Sequence, residues 1–278
     1  MTTVQDVRLD DGRTVRVHDT NSPEAFTVLW HHGSPQTGAP LAPLVAAAAE
    51  RGIRLVSYGR PSYGGSTPKP GRDVASAASD VAQLADALGV DRFAVMGASG
   101  GGPHALACGA LLPDRVSAVA CLATLAPFGA DGLDWYGGMA GGGPSLRAAE
   151  QGRAARALFE ESSEFDPTSF IGRDYAALEG TWSSLGDDVG VASAAGLDGL
   201  IDDDLAYVAP WGFEVSAITQ PVLLAHGGRD RVVPRSHSEW LLGHCPDAEL
   251  WVRPHDGHVS ILDVAPVAMD WLRARAQC

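Results

Sequence analysis

The stretch FAVMGASGGGPHAL, Phe93 to Leu106, sets one serine among four glycines, Gly97, Gly100, Gly101 and Gly102. A loop that only had to turn needs one or two, because a single glycine supplies a positive φ without steric cost. Gly97-Ala98-Ser99-Gly100-Gly101 fits G-x-S-x-G, with a buried-strand pattern before it and a helix pattern after it. That is the context in which such a serine sits on a sharp strand-to-helix turn. The glycines there remove side chains that would collide with strand and helix. The hydroxyl is left exposed at the positive end of a helix, where developing negative charge is favoured. A nucleotide-binding glycine turn is the competing reading, but the segment is not G-x-G-x-x-G and carries no P-loop lysine.

A serine hydroxyl is a weak nucleophile; it needs a base, and the base needs an orienting carboxylate. PVLLAHGGRDRVVP places Asp230 in the loop after an apolar run, and LWVRPHDGHVSIL places His258 just before the last helix pattern. The order Ser99, Asp230, His258 is the one a nucleophile elbow requires. His255, and Asp131 or Asp134 after the run VSAVACLAT, are the rival base and acids; Asp230 is preferred over the two aspartates. Acyl transfer also needs two N–H donors aimed at the oxyanion. The backbone N–H of Gly100 is one. In LWHHGSPQTG, Pro35 has no N–H to give, so the second falls to Ser34, with Gly33 allowing close approach. His31 and His32 lack acidic or cysteine partners nearby and read as supports for that loop.

The elements that must position these residues are visible as changes of period. VQDVRL and RTVRVHD alternate around an Asp-Gly turn and predict an N-terminal hairpin. FTVLWHHG, IRLVSYG, RFAVMGAS, VSAVACLAT and PVLLAHGGRD are apolar without alternation, as in strands buried on both faces. Between them, DVASAASDVAQLADALG carries Val74, Ala77, Ala78, Val81, Leu84, Ala85 and Leu88 on one helical face, with Asp73 as N-cap and Gly89 as stop. Strand and helix in alternation predict an α/β fold with a mostly parallel sheet covered by helices, its chemistry at the carboxyl ends of the strands. The alternation breaks at 129–211, which reads as an insertion in a core of 1–128 and 212–278. The insertion is rich in aromatics; Trp135, Tyr136 and Trp211 are the expected substrate-pocket residues.

The 278 residues suit one core with an inserted piece. A net charge of −14 argues against a nucleic-acid binder or a polybasic membrane anchor and leaves a small molecule as the expected partner. The insertion holds 15 of the 34 acidic residues and 4 of the 20 basic ones, which reads as a solvated helical face. No stretch approaches the roughly 18 apolar residues of a membrane span, and the start lacks a signal-peptide core, so the expectation is a soluble, cytoplasmic protein. Cys108, Cys121, Cys245 and Cys278 show no CxxC spacing; neither a metal site nor a disulfide framework is indicated.

HHGSP, YGRPSYGGSTP, GASGGGPHAL, HGGRDRVVP and DGH, in that order, resemble the landmarks of the α/β-hydrolase superfamily over nearly the whole chain. The resemblance implies an eight-stranded, mostly parallel sheet with a helical cap after the sixth strand, and a triad on Ser99, Asp230 and His258. Ser99 stands where haloalkane dehalogenases and epoxide hydrolases have an aspartate, which disfavours those activities. HGSP and GASGG differ from the GGPG and GGSWG of prolyl aminopeptidase-like members. Ser62 stands where many members have glycine. The leading expectation is a serine hydrolase cleaving a carboxylic ester or lactone of a small, largely apolar substrate, without cofactor or metal. The alternatives are a dedicated metabolite hydrolase or lyase, acting on a thioester, β-diketone, C–C bond or prolyl peptide, and a ligand-binding sensor on the same fold.

Overall fold

The computed structural model describes residues 2–22 and 25–276; Cys278 lies outside the described residues. Eight strands form one sheet in the order β1-β2-β4-β3-β5-β6-β7-β8. β1 (Thr3–Arg8) and β2 (Thr14–Asp19) are the expected antiparallel hairpin, closed at Gly12 with φ +85°. β2 joins β4 (Ile53–Tyr58) antiparallel, and from β4 onward every pairing is parallel. β4, β5 (Phe93–Ala98) and β7 (Val222–Gly227) are buried at every position, and β3 (Phe26–His31) and β6 (Val116–Leu122) nearly so. β8 (Ala248–Arg253), at the edge, is only half-buried. Apolar clusters on both faces of the sheet account for the missing alternation: Val95, Val119 and Leu224 point into one, Met96, Ala120 and Leu223 into the other.

Helices α1 (Ala42–Glu50), α2 (Ser76–Ala87) and α3 (Gly101–Leu111) alternate with the strands, and α9 (Ser236–His244) and α10 (Ala265–Arg275) complete the layers. α2 starts later than its sequence pattern, with Ala75 rather than Asp73 as the cap residue; Asp73 Oδ1 still accepts the Ser76 N–H at 2.8 Å, and Gly89 follows the helix at φ +65°. Five helices separate β6 from β7: α4 (Gly142–Glu150), α5 (Arg153–Ser162), α6 (Gly172–Glu179), α7 (Ser183–Ala195) and α8 (Asp198–Tyr207). Among the described residues no helix is long and apolar enough to cross a membrane.

The site is placed by strand order. β3 lies between β4 and β5, so the connections leave its two sides in opposite directions and open a crevice at the carboxyl ends. His31 pairs with Gly97 across that join. The loop after β3, with Ser34, and the turn after β5, with Ser99, therefore come side by side.

Candidate active site

Ser99 has φ +52°, a left-handed conformation that is uncommon outside glycine. The turn is pinned by Ser99 N–H donating to Leu122 O at 2.8 Å and Gly102 N–H to Ser99 O at 3.0 Å. A Cβ on Gly97 would lie 2.5 Å from Gly101 O, and one on Gly101 would lie 2.0 Å from His31 O. These clashes explain the glycines: strand, turn and helix approach more closely than side chains permit.

His258 Nε2 lies 2.9 Å from Ser99 Oγ, and its Nδ1 lies 2.7 Å from Asp230 Oδ2. Asp230 Oδ1 is held by the N–H groups of Val232 and Val233, both at 2.9 Å. Burial alone would raise the Asp230 carboxyl. The His258 charge, the hydrogen bond from His258 Nδ1 and the nearby His226 ring outweigh it and hold the carboxyl well below the usual carboxylate range. For His258 burial favours the neutral ring, but the charge of Asp230, its hydrogen bond and the charge of Asp174 leave the imidazole raised above 6.5. His255 is exposed, as are Asp131 and Asp134, and none of the three hydrogen-bonds to His258.

Ser99, His258, Ser34 and Gly100 line one cavity of about 500 Å³. The Gly33 N–H is occupied, donating to Gln36 Oε1 at 2.6 Å. Among the described residues no protein acceptor takes the backbone N–H of Ser34 or Gly100. His31 and His32 are buried supports of this loop: His32 Nδ1 donates to Gly33 O at 2.6 Å and its Nε2 accepts the Arg60 N–H at 3.2 Å. That pairing fixes one neutral tautomer, and burial pushes the His32 ring well below its ordinary value.

The three expected pocket aromatics do not reach the cavity. Trp135 is buried edge-on against Phe128 and His237, and its indole N–H donates to Ala126 O at 2.8 Å. Tyr136 lies under the Arg147 guanidinium, 3.8 Å from the ring centre, with its hydroxyl on Glu150. Trp211 packs on Phe213 and donates to Tyr207 O at 3.2 Å. The apolar lining from the helices between β6 and β7 is instead Leu146, Phe159, Leu178, Leu185 and Val189, with Phe170 between α5 and α6. They come from four different helices, and only Leu185 and Val189 share a helical face at i, i+4, so a search for aromatics near strand ends passes over them.

The acidic residues also depart from expectation, because Asp174, Asp202, Asp203 and Asp204 are buried rather than solvated. Asp203 accepts from Arg60 at 2.6 Å, Arg72 at 2.5 Å and Tyr63 at 2.9 Å, and from the Ser34 hydroxyl. This fully buried group thus ties α8 to the Ser34 loop. Burial would raise its carboxyl, but the two guanidinium groups hold it well below the ordinary value. The sequence carried one sign of this network: three adjacent aspartates inside the apolar run GLIDDDLAYV, with Arg60 in YGRPSYGG. Ser62 has φ +75° and its Oγ donates to Asp202 Oδ2 at 3.1 Å, so a serine fills a position of glycine-like backbone by gaining a side-chain partner.

The fold and this crevice define an α/β hydrolase: residues 27–265 match the family described as alpha/beta hydrolase fold, and the chain belongs to it. Over 49 residues it is 41% identical to the pimeloyl-[acyl-carrier protein] methyl ester esterase of Nitrosomonas europaea, a stretch covering 18% of this chain and 19% of that protein. In structure it resembles a thermophilic esterase from Thermogutta terrifontis, with TM-score 0.73 and 20% identity over 99% of both chains. It also resembles the enol-lactonase from Burkholderia xenovorans LB400, with TM-score 0.73 and 19% identity over 99% of this chain and 100% of that one. Its relatives are thus of the esterase and hydrolase type.

Proposed function

We propose that this protein is a serine hydrolase of carboxylic esters or lactones, acting through Ser99, His258 and Asp230. The observation that carries the reading is the continuous chain from Ser99 Oγ through both ring nitrogens of His258 to Asp230, opening on a largely apolar cavity. Ser99 attacks the carbonyl while His258 Nε2 takes its proton; the same histidine returns the proton to the leaving alcohol and then deprotonates the deacylating water. Asp230 holds Nδ1 protonated and stabilises the imidazolium. Ser34 and Gly100 both line the cavity, and their N–H groups, taken by no acceptor among the described residues, serve as the oxyanion donors. Residues 129–211 act as a cap whose helices α4 to α7 supply the apolar roof, so substrate selection resides there. The family implies no metal or cofactor for this chemistry, and the partner is a small molecule.

Intact-mass spectrometry with a serine-reactive phosphonate tests this reading. A single adduct on the wild type, absent from Ser99→Ala, together with loss of turnover on the order of 10⁴-fold or more in that variant, is expected. An adduct that persists in Ser99→Ala places the nucleophile elsewhere.

A further inference from the structure

Asp174 sits on α6, in the inserted segment, far in sequence from the three proposed catalytic residues, and it is fully buried. Its Oδ1 accepts three hydrogen bonds from the two residues that follow His258: Val259 N–H at 2.9 Å, Ser260 N–H at 2.8 Å and Ser260 Oγ at 2.8 Å. Its Oδ2 accepts the Ile171 N–H at 3.1 Å, which fixes the carboxylate to the start of its own helix. A Cβ on Gly257 would lie 2.1 Å from Oδ2, so the loop fits this carboxylate only without a side chain there. Ser260 Oγ in turn accepts the Gly257 N–H at 2.8 Å, closing the loop on both sides of His258.

We propose that Asp174 is a positioning residue for His258: it clamps the backbone on both sides of the imidazole and sets a buried negative charge on that loop. The proposal rests on the reading of His258 as the base. A loop with no regular hydrogen-bond ladder cannot hold a ring to within a few tenths of an ångström unaided, and charge-assisted bonds to backbone N–H groups are among the stronger ones available. The clamp comes from the same segment that roofs the cavity: Leu178, on α6 with Asp174, lines it. Helix α6 thus shapes the substrate chamber and seats the base.

The charges around His258 are few enough to make this testable. Asp230 faces it from the β7 loop, with His226 Nε2 3.5 Å from the same carboxylate. Asp256, on the loop itself, is paired with Arg253 and Arg173. Asp263 accepts the Trp182 indole N–H, and Arg156, Glu160, Glu164, Asp166 and Asp204 line the cavity beyond Ser99. Among the described residues Asp174 makes no ion pair, and its charge favours the protonated imidazole.

The test is the pH dependence of kcat/KM for a p-nitrophenyl ester, with phosphonate labelling in parallel. Asp174→Asn keeps an acceptor oxygen but loses the charge, so its acid limb should move to lower pH than in the wild type. Ser260→Ala removes the two bonds of the Ser260 hydroxyl, to Asp174 and from the Gly257 N–H, and keeps the charge, so its limb should stay in place. Asp174→Ala should lower kcat by on the order of 10²-fold with less effect on KM, since a base displaced by about 1 Å costs that much. A limb in folded Asp174→Asn that coincides with the wild type overturns the proposal. Should that variant fail to fold, Gly257→Ala pushes the loop off the carboxylate; unchanged kcat and an unchanged limb there overturn it equally. Wild-type protein that labels at Ser99 with an acid limb establishes the base reading independently. An unlabelled wild type overturns that reading, and this proposal with it.

Discussion

Asp230→Asn should leave a folded protein with the wrong tautomer of its histidine. In the wild type Oδ1 takes the N–H groups of Val232 and Val233 at 2.9 Å each, while Oδ2 takes the His258 Nδ1 proton at 2.7 Å. An asparagine must choose which of these places receives its oxygen. Turning its NH₂ toward the two backbone donors would leave both unsatisfied, at about 1–3 kcal/mol each. The oxygen therefore stays with Val232 and Val233, and the NH₂ faces Nδ1. His258 Nδ1 must then accept, its proton moves to Nε2, and that N–H points at Ser99 Oγ 2.9 Å away. A ring donating to the hydroxyl cannot take its proton. The expected loss is about 10³ to 10⁴ in kcat, equivalent to about 4–5.5 kcal/mol of transition-state stabilisation. Steady-state hydrolysis of a p-nitrophenyl ester measures it, with the melting temperature showing that the fold survives. A loss below tenfold in a folded variant would refute the reasoning, as would a greater loss in Asp131→Asn or Asp134→Asn.

Leu185→Ala should change the profile of kcat/KM against acyl chain length, with about 0.8 kcal/mol at stake for each CH₂ that loses its contact. Trp135→Ala should instead leave the profile alone and cost about 3–5 kcal/mol of stability, read as a lower melting temperature. The reverse pattern would return Trp135 to the pocket. Because Asp230 raises His258 above 6.5 despite burial, kcat/KM should fall as the pH drops through a midpoint above that value; a midpoint below it contradicts the electrostatics. The same shift makes the protonated ring stabilising: its contribution is full below about 6.5 and is lost as the pH rises through the folded value. Melting curves of wild type and His258→Gln should therefore converge on the alkaline side.

The amino-acid sequence by itself determined the parts whose physics is local. Short apolar runs without alternation, bounded by turn residues, fit strands covered on both faces, and β3 to β7 are such strands. The glycines around Ser99 announce a turn too tight for side chains, and the order of Ser99, Asp230 and His258 placed each at a strand end. Backbone sterics and burial act over a few residues, so they leave a readable trace. The tertiary structure alone decided which surfaces met. An aromatic soon after a strand is compatible with pocket or packing, and only the path of the chain put Trp135 against His237 rather than over Ser99. An aspartate in an acidic helix reads as solvated. Asp203 is buried because Arg60 and Arg72, more than 130 residues earlier in the chain, converge on it. Asp174 meets the loop after His258 across 85 residues, and nothing in its neighbours signals it. Such pairings are set by the three-dimensional approach of distant segments, where a charge becomes affordable inside the protein only after its partner has arrived.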